Sequence, residues 1–175
     1  IVTTAHYNGK IPRNPFAMYH VDPDHKEREF LTLDELTAMT EIKLEGPNMA
    51  FARDLFIFGC WTGISFIDIK NLTEDNICIV NGAPWIVSKR QKTGVPFQIK
   101  LMDIPIQIIE RYKSFRKDCH LFHIGDHGTI NKHIKRVAAM WDIKKQVSFH
   151  VSRHSWAVLA LEYGMPIESV SKILG

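Results

Sequence analysis

A run of almost wholly apolar residues, Met49 to Trp61, restricts the fold of this chain more than any other feature. The run is long enough for a helix of about three to four turns. Apolar residues occupy nearly every side of that helix, so it must be buried. Gly46-Pro47-Asn48 interrupts the chain before it, and Gly63 follows where a helix-terminating glycine is expected. The sequence therefore predicts a helix inside the core of a folded domain.

Periodicity and turn residues predict the elements around this helix. Only the segment Asn76–Leu101 is rich in alternating or β-branched apolar residues, and breaks at Asn81-Gly82 and Thr93-Gly94 divide it into three antiparallel strands. A capping-box pattern, Thr32 with Glu35, opens a helix before the apolar run. The helices are predicted at Leu33–Leu44, Phe66–Leu72, Pro105–Phe115, Thr129–Trp141 and His150–Tyr163, with a last one starting at Pro166. The predicted fold class is mainly α with one small three-stranded antiparallel sheet.

The same periodicity assigns side chains to the core. In the helix across Thr129–Trp141, the spacing places Ile134, Val137, Ala138 and Trp141 inward. Tyr163, at the end of the next helix, is also interpreted as a core residue.

Length and composition limit the class of protein. The 175 residues hold one domain, with room for the remnant of another. No apolar run approaches the ~18 residues that a membrane span requires. The cysteines, Cys60, Cys78 and Cys119, are far apart and odd in number, which is typical of a reducing cytoplasm. Residues 1–28 contain three prolines and little periodicity, so we predict a linker there.

The net charge of +3 is too small to indicate nucleic acid, but its distribution is uneven. Residues 21–54 carry nine acidic and four basic side chains, whereas residues 89–118 carry eight basic and three acidic ones. Residues 132–153 carry six basic and one acidic. Basic segments of this kind suit a surface that follows phosphates, although a solvated helix face explains Arg111, Lys113, Arg116 and Lys117 equally well.

His150 and Arg153 form the most specific chemical motif. They stand three residues apart at the start of a predicted helix and therefore project from the same face. The N-terminal end of a helix also carries unpaired N–H groups and the positive end of the dipole. A guanidinium and an imidazole placed there suit a phosphodiester, because the first binds two oxygens and the second a third.

Two further fragments precede this motif and a third follows it, in a recognisable order. The apolar helix ends in Thr62-Gly63 and is followed by an acidic residue, Asp68; a predicted hairpin contains Arg-Gln-Lys-Thr-Gly at 90–94; and the chain reaches Leu174-Gly175. Together with His150 and Arg153, these fragments resemble the tyrosine recombinases of the phage integrase family. The resemblance covers about residues 28–175 and is strongest to integrases of Bacteroides-type mobile elements, in which Asn-Pro-Phe and Arg-Gln-Lys-Thr occur in similar places.

The resemblance implies a catalytic-domain fold at 29–175, with residues 1–28 joining it to a preceding DNA-binding domain. It implies DNA strand exchange through a 3′-phosphotyrosine intermediate without metal or cofactor. In that reaction Arg153 would bind the nonbridging oxygens, His150 would share the phosphate or relay a proton, and Lys92 would protonate the leaving 5′-oxygen. Lys89 and Lys100 are the predicted DNA contacts of the hairpin. Double-stranded DNA and a homotetramer assembled on it are the implied partners, inside a bacterial cytoplasm and away from membranes.

Two departures from the family pattern concern the active site. Ser65 stands where the family has an arginine, and a serine cannot supply a charged two-pronged clamp. Arg90 is the best replacement, because it lies two residues before Lys92 and on a strand both side chains would point to one face. Arg53, beside Asp54 in the middle of a helix, is expected to pair structurally instead. Asp68 matches the acidic position that orients site groups, although a surface or capping carboxylate is an open alternative.

The nucleophile is the second departure. The family's tyrosine follows a Leu-Gly-His motif, whereas this sequence stops at Leu174-Gly175, and Tyr163 precedes that motif. We therefore expect this piece of chain to bind and activate a phosphate without attacking it, with the nucleophile beyond residue 175. His154 is expected to face away from the site and pack.

Two other functions stay open on the sequence alone. A catalytically silent DNA-binding protein built on a recombinase fold is supported by Ser65. A metal-dependent enzyme would use His120, His123 and His127, but the sequence lacks clustered carboxylates.

Overall fold

A computed structural model describes residues 2–16, 18 and 29–175 of the chain. Residues 1, 17 and 19–28 of the predicted linker lie outside the described residues, and Val2–Tyr7 forms a short helix that the sequence did not predict. The elements are α1 (Val2–Tyr7), α2 (Leu33–Glu41), α3 (Pro47–Thr62), α4 (Phe66–Lys70), β1 (Ile77–Val80), β2 (Ala83–Lys89), β3 (Pro96–Lys100), α5 (Asp103–Arg111), α6 (His127–Met140), α7 (Phe149–Glu162) and α8 (Ile167–Leu174), with 3-10 turns at Glu74–Asn76 and Lys113–Phe115.

Helix α3 is the centre of the core, as its apolar sequence predicts. Helices α2, α5, α6 and α7 all pack against it. Phe56 and Phe58 are fully buried; Phe56 contacts Phe149 of α7, and Phe58 contacts Phe122 edge to face. Pro47 at the first turn and Gly63 at the end set the limits of the helix. The buried helix thus fixes the place of α7, which carries the His150 motif.

The three strands form one antiparallel sheet in the order β1-β2-β3, as predicted. Asn81 and Gly82 both have positive φ, which matches the predicted tight turn between β1 and β2. Ile86 pairs with Ile99, and both face the core. The mainly helical fold with a small sheet is therefore confirmed, and so is the capping box of Thr32 with Glu35 at the start of α2.

The predictions that Trp141 and Tyr163 lie in the core are wrong. Trp141 is 46% exposed and Tyr163 is 74% exposed, although Ile134, Val137 and Ala138 are buried as predicted. Both misplaced residues stand one position after a helix end, at Met140 and Glu162. Helical spacing no longer determines the direction of a side chain at such positions. In the described part of the chain, no helix is both long and apolar enough to cross a membrane.

The structure confirms that Arg53 pairs within the protein. Its Nε donates to Asp54 Oδ1 at 2.8 Å, and its Nη1 reaches the Ile42 carbonyl after α2. Asp54 also accepts hydrogen bonds from Arg111 and from the Tyr112 hydroxyl, at 2.6 and 2.8 Å. Burial and the Asp54 carboxylate raise the pKa of Tyr112. This cluster ties α2, α3 and α5 together, so Arg53 belongs to the scaffold.

Replacing Gly63 with alanine is expected to lower the free energy of unfolding by about 2 kcal/mol or more. Gly63 has a φ of 65°, and a Cβ there would lie 2.5 Å from the Trp156 ring. Gly94→Ala is the matched control, since its φ is 70° but nothing lies within 4 Å of its Cβ position. Urea unfolding of both variants measures the difference. An equal decrease in the free energy of unfolding for Gly63→Ala and Gly94→Ala would contradict the packing of Trp156 on Gly63.

Candidate functional site

Two arginines from distant parts of the chain meet at the end of helix α8. Arg90 follows strand β2, and Arg153 lies in the first turns of α7. The Nη2 of Arg90 donates to the Ile173 carbonyl, and the Nη2 of Arg153 donates to the Leu174 carbonyl. Burial lowers the pKa of Arg153, and the positive charge of Arg90 lowers it further. The fold thus places the two predicted site arginines side by side.

Asp68 holds the Arg90 side chain in place. Arg90 Nη1 donates to Asp68 Oδ2 at 2.7 Å, and both side chains are 5% exposed. The carboxylate also accepts from the Gln91 backbone N–H at 2.9 Å and from the Ser65 hydroxyl at 2.6 Å. Burial by itself raises the pKa of Asp68, but the hydrogen bonds from Gln91, Ser65 and Arg90 outweigh it and lower that pKa. Asp68 is therefore a buried ionised partner of the arginine rather than a surface carboxylate.

Ser65, at the family's arginine position, has a local structural role. It is the N-cap of α4, and its Oγ accepts a hydrogen bond from the Asp68 backbone N–H. The same hydroxyl donates to the Asp68 carboxylate. Ser65 and Arg90 therefore bind the same carboxylate, that of Asp68. This carboxylate links position 65, where the family has an arginine, to the arginine that is predicted to replace it.

The remainder of the Arg90 side chain is buried. Its guanidinium carbon lies 4.3 Å from the centroid of the Phe97 ring, a cation–π contact that the sequence did not indicate. The Nε atom is buried and has no hydrogen-bond partner among the described residues. An arginine has five N–H donors, and the pairs with Asp68 and Ile173 occupy only some of them.

A cavity of about 570 Å³ opens beside this pair. Its wall includes Ser65, His150 and Arg153, whereas Arg90 is not part of the wall and connects to Ser65 through the Asp68 carboxylate. The rest of the wall comes from α4 and from the start of α6 and α7: Ile64, Phe66, Ile67, Lys70, Gly125, Asp126, His127 and Phe149. The predicted phosphate-binding motif of α7 therefore faces an open, partly basic cavity.

Asn131 positions the start of the motif helix, and no sequence pattern indicated this role. Ser148 is the N-cap of α7, but its side chain makes no capping bond. The Phe149 backbone N–H instead donates to Asn131 Oδ1 at 2.7 Å, across 18 residues of sequence. An N-terminal N–H of α7 is thereby satisfied from another helix. His154, which is predicted to face away from the site and pack, contacts the His150 ring with centroids 4.5 Å apart, because residues i and i+4 share a face.

The predicted lysines lie on the exposed side of the hairpin. Lys89 and Lys100 are exposed on β2 and β3, and Lys92 is exposed in the turn between these strands. The prediction that Arg90 and Lys92 share a strand face is wrong, because β2 ends at Lys89 and residues 91–93 form a turn. The Gly94 N–H bonds the Arg90 carbonyl within that turn. Lys92 thus stands on a solvent-exposed turn beside the buried Arg90.

The three histidines considered for metal do not form one site. His120 pairs with Asp118, whereas the His127 ring contacts the Phe66 ring at an interplanar angle of 57°, with centroids 4.4 Å apart. Within the part of the chain that the structure describes, no three His, Cys, Asp or Glu side chains converge as metal ligands would.

Comparison with known proteins assigns the family. Residues 29–175 match the model described as the phage integrase family. A protein named tyrosine recombinase XerC, from Neisseria gonorrhoeae, is 25% identical over 166 residues, with 87% of this chain and 53% of the relative covered. The chain thus spans about half the length of the curated relatives it matches.

Solved structures of integrases share the fold. A lambda integrase dimer bound to a core site has a TM-score of 0.72 at 19% identity, and the match covers 99% of this chain and 66% of that one. The Tn1549 transposon integrase in complex with circular intermediate DNA has a TM-score of 0.71 at 17% identity, with the same coverage. The XerH recombinase bound to its difH substrate has a TM-score of 0.70 at 18% identity, with 85% and 47% covered. By its match over residues 29–175, this chain belongs to the phage integrase family.

Proposed function

We propose that this chain is part of the catalytic domain of a mobile-element integrase, which carries out site-specific recombination of double-stranded DNA. The observation that carries the proposal is that Arg90 and Arg153 bind the neighbouring carbonyls of Ile173 and Leu174, beside the cavity that His150 and Arg153 line. Such a group of cationic donors suits a phosphodiester better than any neutral substrate. Family membership and the DNA-bound state of the similar integrase structures support the same substrate.

The proposed reaction is attack of a tyrosine hydroxyl on a DNA phosphodiester. A bond forms between the tyrosine oxygen and phosphorus while the bond to the 5′-oxygen breaks, which leaves a 3′-phosphotyrosine link. Arg153 binds the nonbridging oxygens, His150 shares the phosphate or relays a proton, and Lys92 protonates the leaving 5′-oxygen. These donors stabilise the transition state without a metal ion or another cofactor. The 5′-hydroxyl of a second strand then reverses the reaction.

Arg90 supplies the second guanidinium in this proposal, in place of the arginine that Ser65 replaces. Its support is the position next to Arg153 and the fixed geometry that Asp68 imposes. The bond from Arg90 to the Ile173 carbonyl occupies a donor that a phosphate oxygen would take. On binding DNA, Arg90 would therefore exchange the neutral Ile173 carbonyl oxygen for a charged phosphate oxygen, which accepts the stronger hydrogen bond.

The nucleophile in the proposal is a tyrosine that follows residue 175 in the full-length protein. Of the tyrosines described, Tyr7, Tyr112 and Tyr163, none lines the cavity. Residues 1–28 would connect this domain to a preceding DNA-binding domain, and four copies would assemble on DNA. We place the protein in the bacterial cytoplasm, where its substrate is.

A catalytically silent DNA-binding protein is the second candidate. It is favoured by two observations: Ser65 is engaged in capping α4, and Arg90 is bonded to the end of α8. Such a protein would bind the same DNA through Lys89, Lys100 and Lys92 without cleaving it.

The test uses the full-length protein, a nicked suicide substrate that carries the element's end, and EDTA. A covalent protein–DNA complex on a denaturing gel is the expected result. Tight binding of the DNA without any covalent complex would favour the silent protein. A complex that forms only when a divalent metal is added would contradict the proposed chemistry.

A further inference from the structure

We infer that the same cavity contains a second phosphate subsite, formed by Lys70 and His127, which binds a phosphate neighbouring the cleaved one on the same DNA strand. The inference rests on the proposed function. His150 and Arg153 are assigned to the cleaved phosphate, and Lys70 and His127 also line this cavity but have no role in the reaction.

The length of α4 separates the two subsites by a suitable distance. Ser65 marks the side of the cleaved phosphate, because it holds the family's arginine position, and it caps the first end of α4. Lys70, the last residue of α4, lies five positions further on. At 1.5 Å per residue this is about 7.5 Å along the helix axis. A strand of B-DNA rises about 3.4 Å per nucleotide along the duplex axis and also winds round that axis, so adjacent phosphates are farther apart than this rise and fit within the length of α4. One cavity can therefore hold two phosphates of one strand.

The wall between the two subsites is apolar, which suits a nucleic acid strand rather than free phosphate. Phe66 and Ile67 stand between Ser65 and Lys70 on α4, and all four residues line the cavity. Ile67 is 43% exposed, although it is a large apolar side chain. The basic groups of the first subsite, this apolar surface and Lys70 thus belong to one wall, as phosphate, deoxyribose and phosphate belong to one strand.

In the second subsite, the Lys70 side chain is exposed to solvent and the His127 ring is held by its neighbours. Lys70 is exposed and makes no ion pair with the described residues. The His127 ring is held over Phe66 and contacts the Asn131 amide, whose nitrogen lies 3.1 Å from His127 Nε2. Asn131 also bonds the first turn of α7, so His127 and the His150 helix are fixed by one residue.

Asp126 also lines the cavity and would repel a phosphate if its charge were free. Its carboxylate instead accepts the Thr129 backbone N–H at 2.9 Å and caps α6. The hydrogen bond from the Thr129 backbone lowers the pKa of Asp126, opposed by desolvation and assisted by the nearby His127. The positive end of a 14-residue helix therefore offsets this acidic group.

The test measures binding of the full-length protein to duplexes carrying the element's end, over a range of KCl concentrations. One duplex is unmodified, and others carry a neutral methylphosphonate at single phosphates on either side of the cleaved one. Lys70→Ala should weaken binding to the unmodified duplex about tenfold and reduce the salt slope by about 0.9. A methylphosphonate at the phosphate that Lys70 contacts should weaken binding by the parent as much as Lys70→Ala does. The same modification should not weaken binding by the Lys70→Ala variant any further. His127→Ala should weaken binding at that same phosphate.

Lys113→Ala is the control, because Lys113 is 60% exposed and lies outside the cavity. It should bind every duplex as the parent does. An unchanged slope for Lys70→Ala with a reduced slope for Arg153→Ala would overturn the second subsite and leave the proposed function intact. Unchanged slopes for both variants would overturn both. Additive losses from Lys70→Ala and each neutral link would show that Lys70 binds no phosphate next to the cleaved one.

Discussion

Replacing Arg153 with alanine in the full-length protein is expected to slow formation of the covalent DNA complex by about 10²–10³-fold, the effect of removing a donor that stabilises an oxyanion. Arg153 is half-buried on the wall of the cavity, and its guanidinium would face the nonbridging oxygens that gain charge in the transition state. In a site screened from water, such a charge–charge contact is much stronger than in solvent.

The measurement is single-turnover cleavage of the suicide substrate with protein in excess, so that binding is saturated. Arg153→Lys is the informative partner variant. It keeps the positive charge but loses the two-pronged geometry, and it should recover only part of the rate. Thermal unfolding checks that each variant is folded. A folded Arg153→Ala variant that cleaves at the parental rate would remove Arg153 from the reaction.

Replacing Arg90 with alanine is expected to have the second largest effect, a loss of about 10²-fold in the same assay. The side chain contributes its charge beside Arg153, and its removal leaves the buried Asp68 carboxylate without its ionic partner. The unfolding free energy should fall as well, because a buried charge left unpaired is destabilising. The rate must therefore be compared among molecules shown to be folded and bound to DNA.

Arg116→Ala is a matched control for this variant. Arg116 is also largely buried and paired with a carboxylate, that of Glu74, but it lies outside the cavity. Its loss should affect stability and leave the cleavage rate unchanged. Equal slowing by Arg116→Ala and Arg90→Ala would assign both effects to folding.

The sequence predicted the fold and those of its elements that local patterns encode. The apolar run of α3, the turn at Asn81-Gly82 and the capping box at Thr32 each act within a few residues, so composition and spacing identify them. Periodicity failed at Trp141 and Tyr163, because each follows the last helical residue and its direction depends on the turn after it. Helix lengths likewise differ at their ends, as α2 stops at Glu41 rather than Leu44.

The contacts that shape the site are long-range and could not be predicted from spacing. Arg90 meets the Ile173 carbonyl across 83 residues of sequence, and Asn131 meets the first turn of α7 across 18. Backbone carbonyls and amides are present at every residue, so no pattern distinguishes those that a distant side chain will bind. The prediction for Arg90 relied on a strand extending to Lys92, whereas the turn at residues 91–93 and the bond to Asp68 determine where its side chain lies.

The central claim is that Arg90 performs the function of the arginine absent at position 65. Its most direct test is rescue by an arginine introduced at that position. The cavity beside Ser65 has room for a longer side chain, and Asp68 lies within reach of it. Single-turnover cleavage is measured in EDTA for the parent, Arg90→Ala and the double variant Ser65→Arg/Arg90→Ala. We predict that the double variant cleaves at least about tenfold faster than Arg90→Ala, which corresponds to about 1.4 kcal/mol of transition-state stabilisation. A double variant that is folded, binds the DNA and cleaves no faster than Arg90→Ala would contradict the claim.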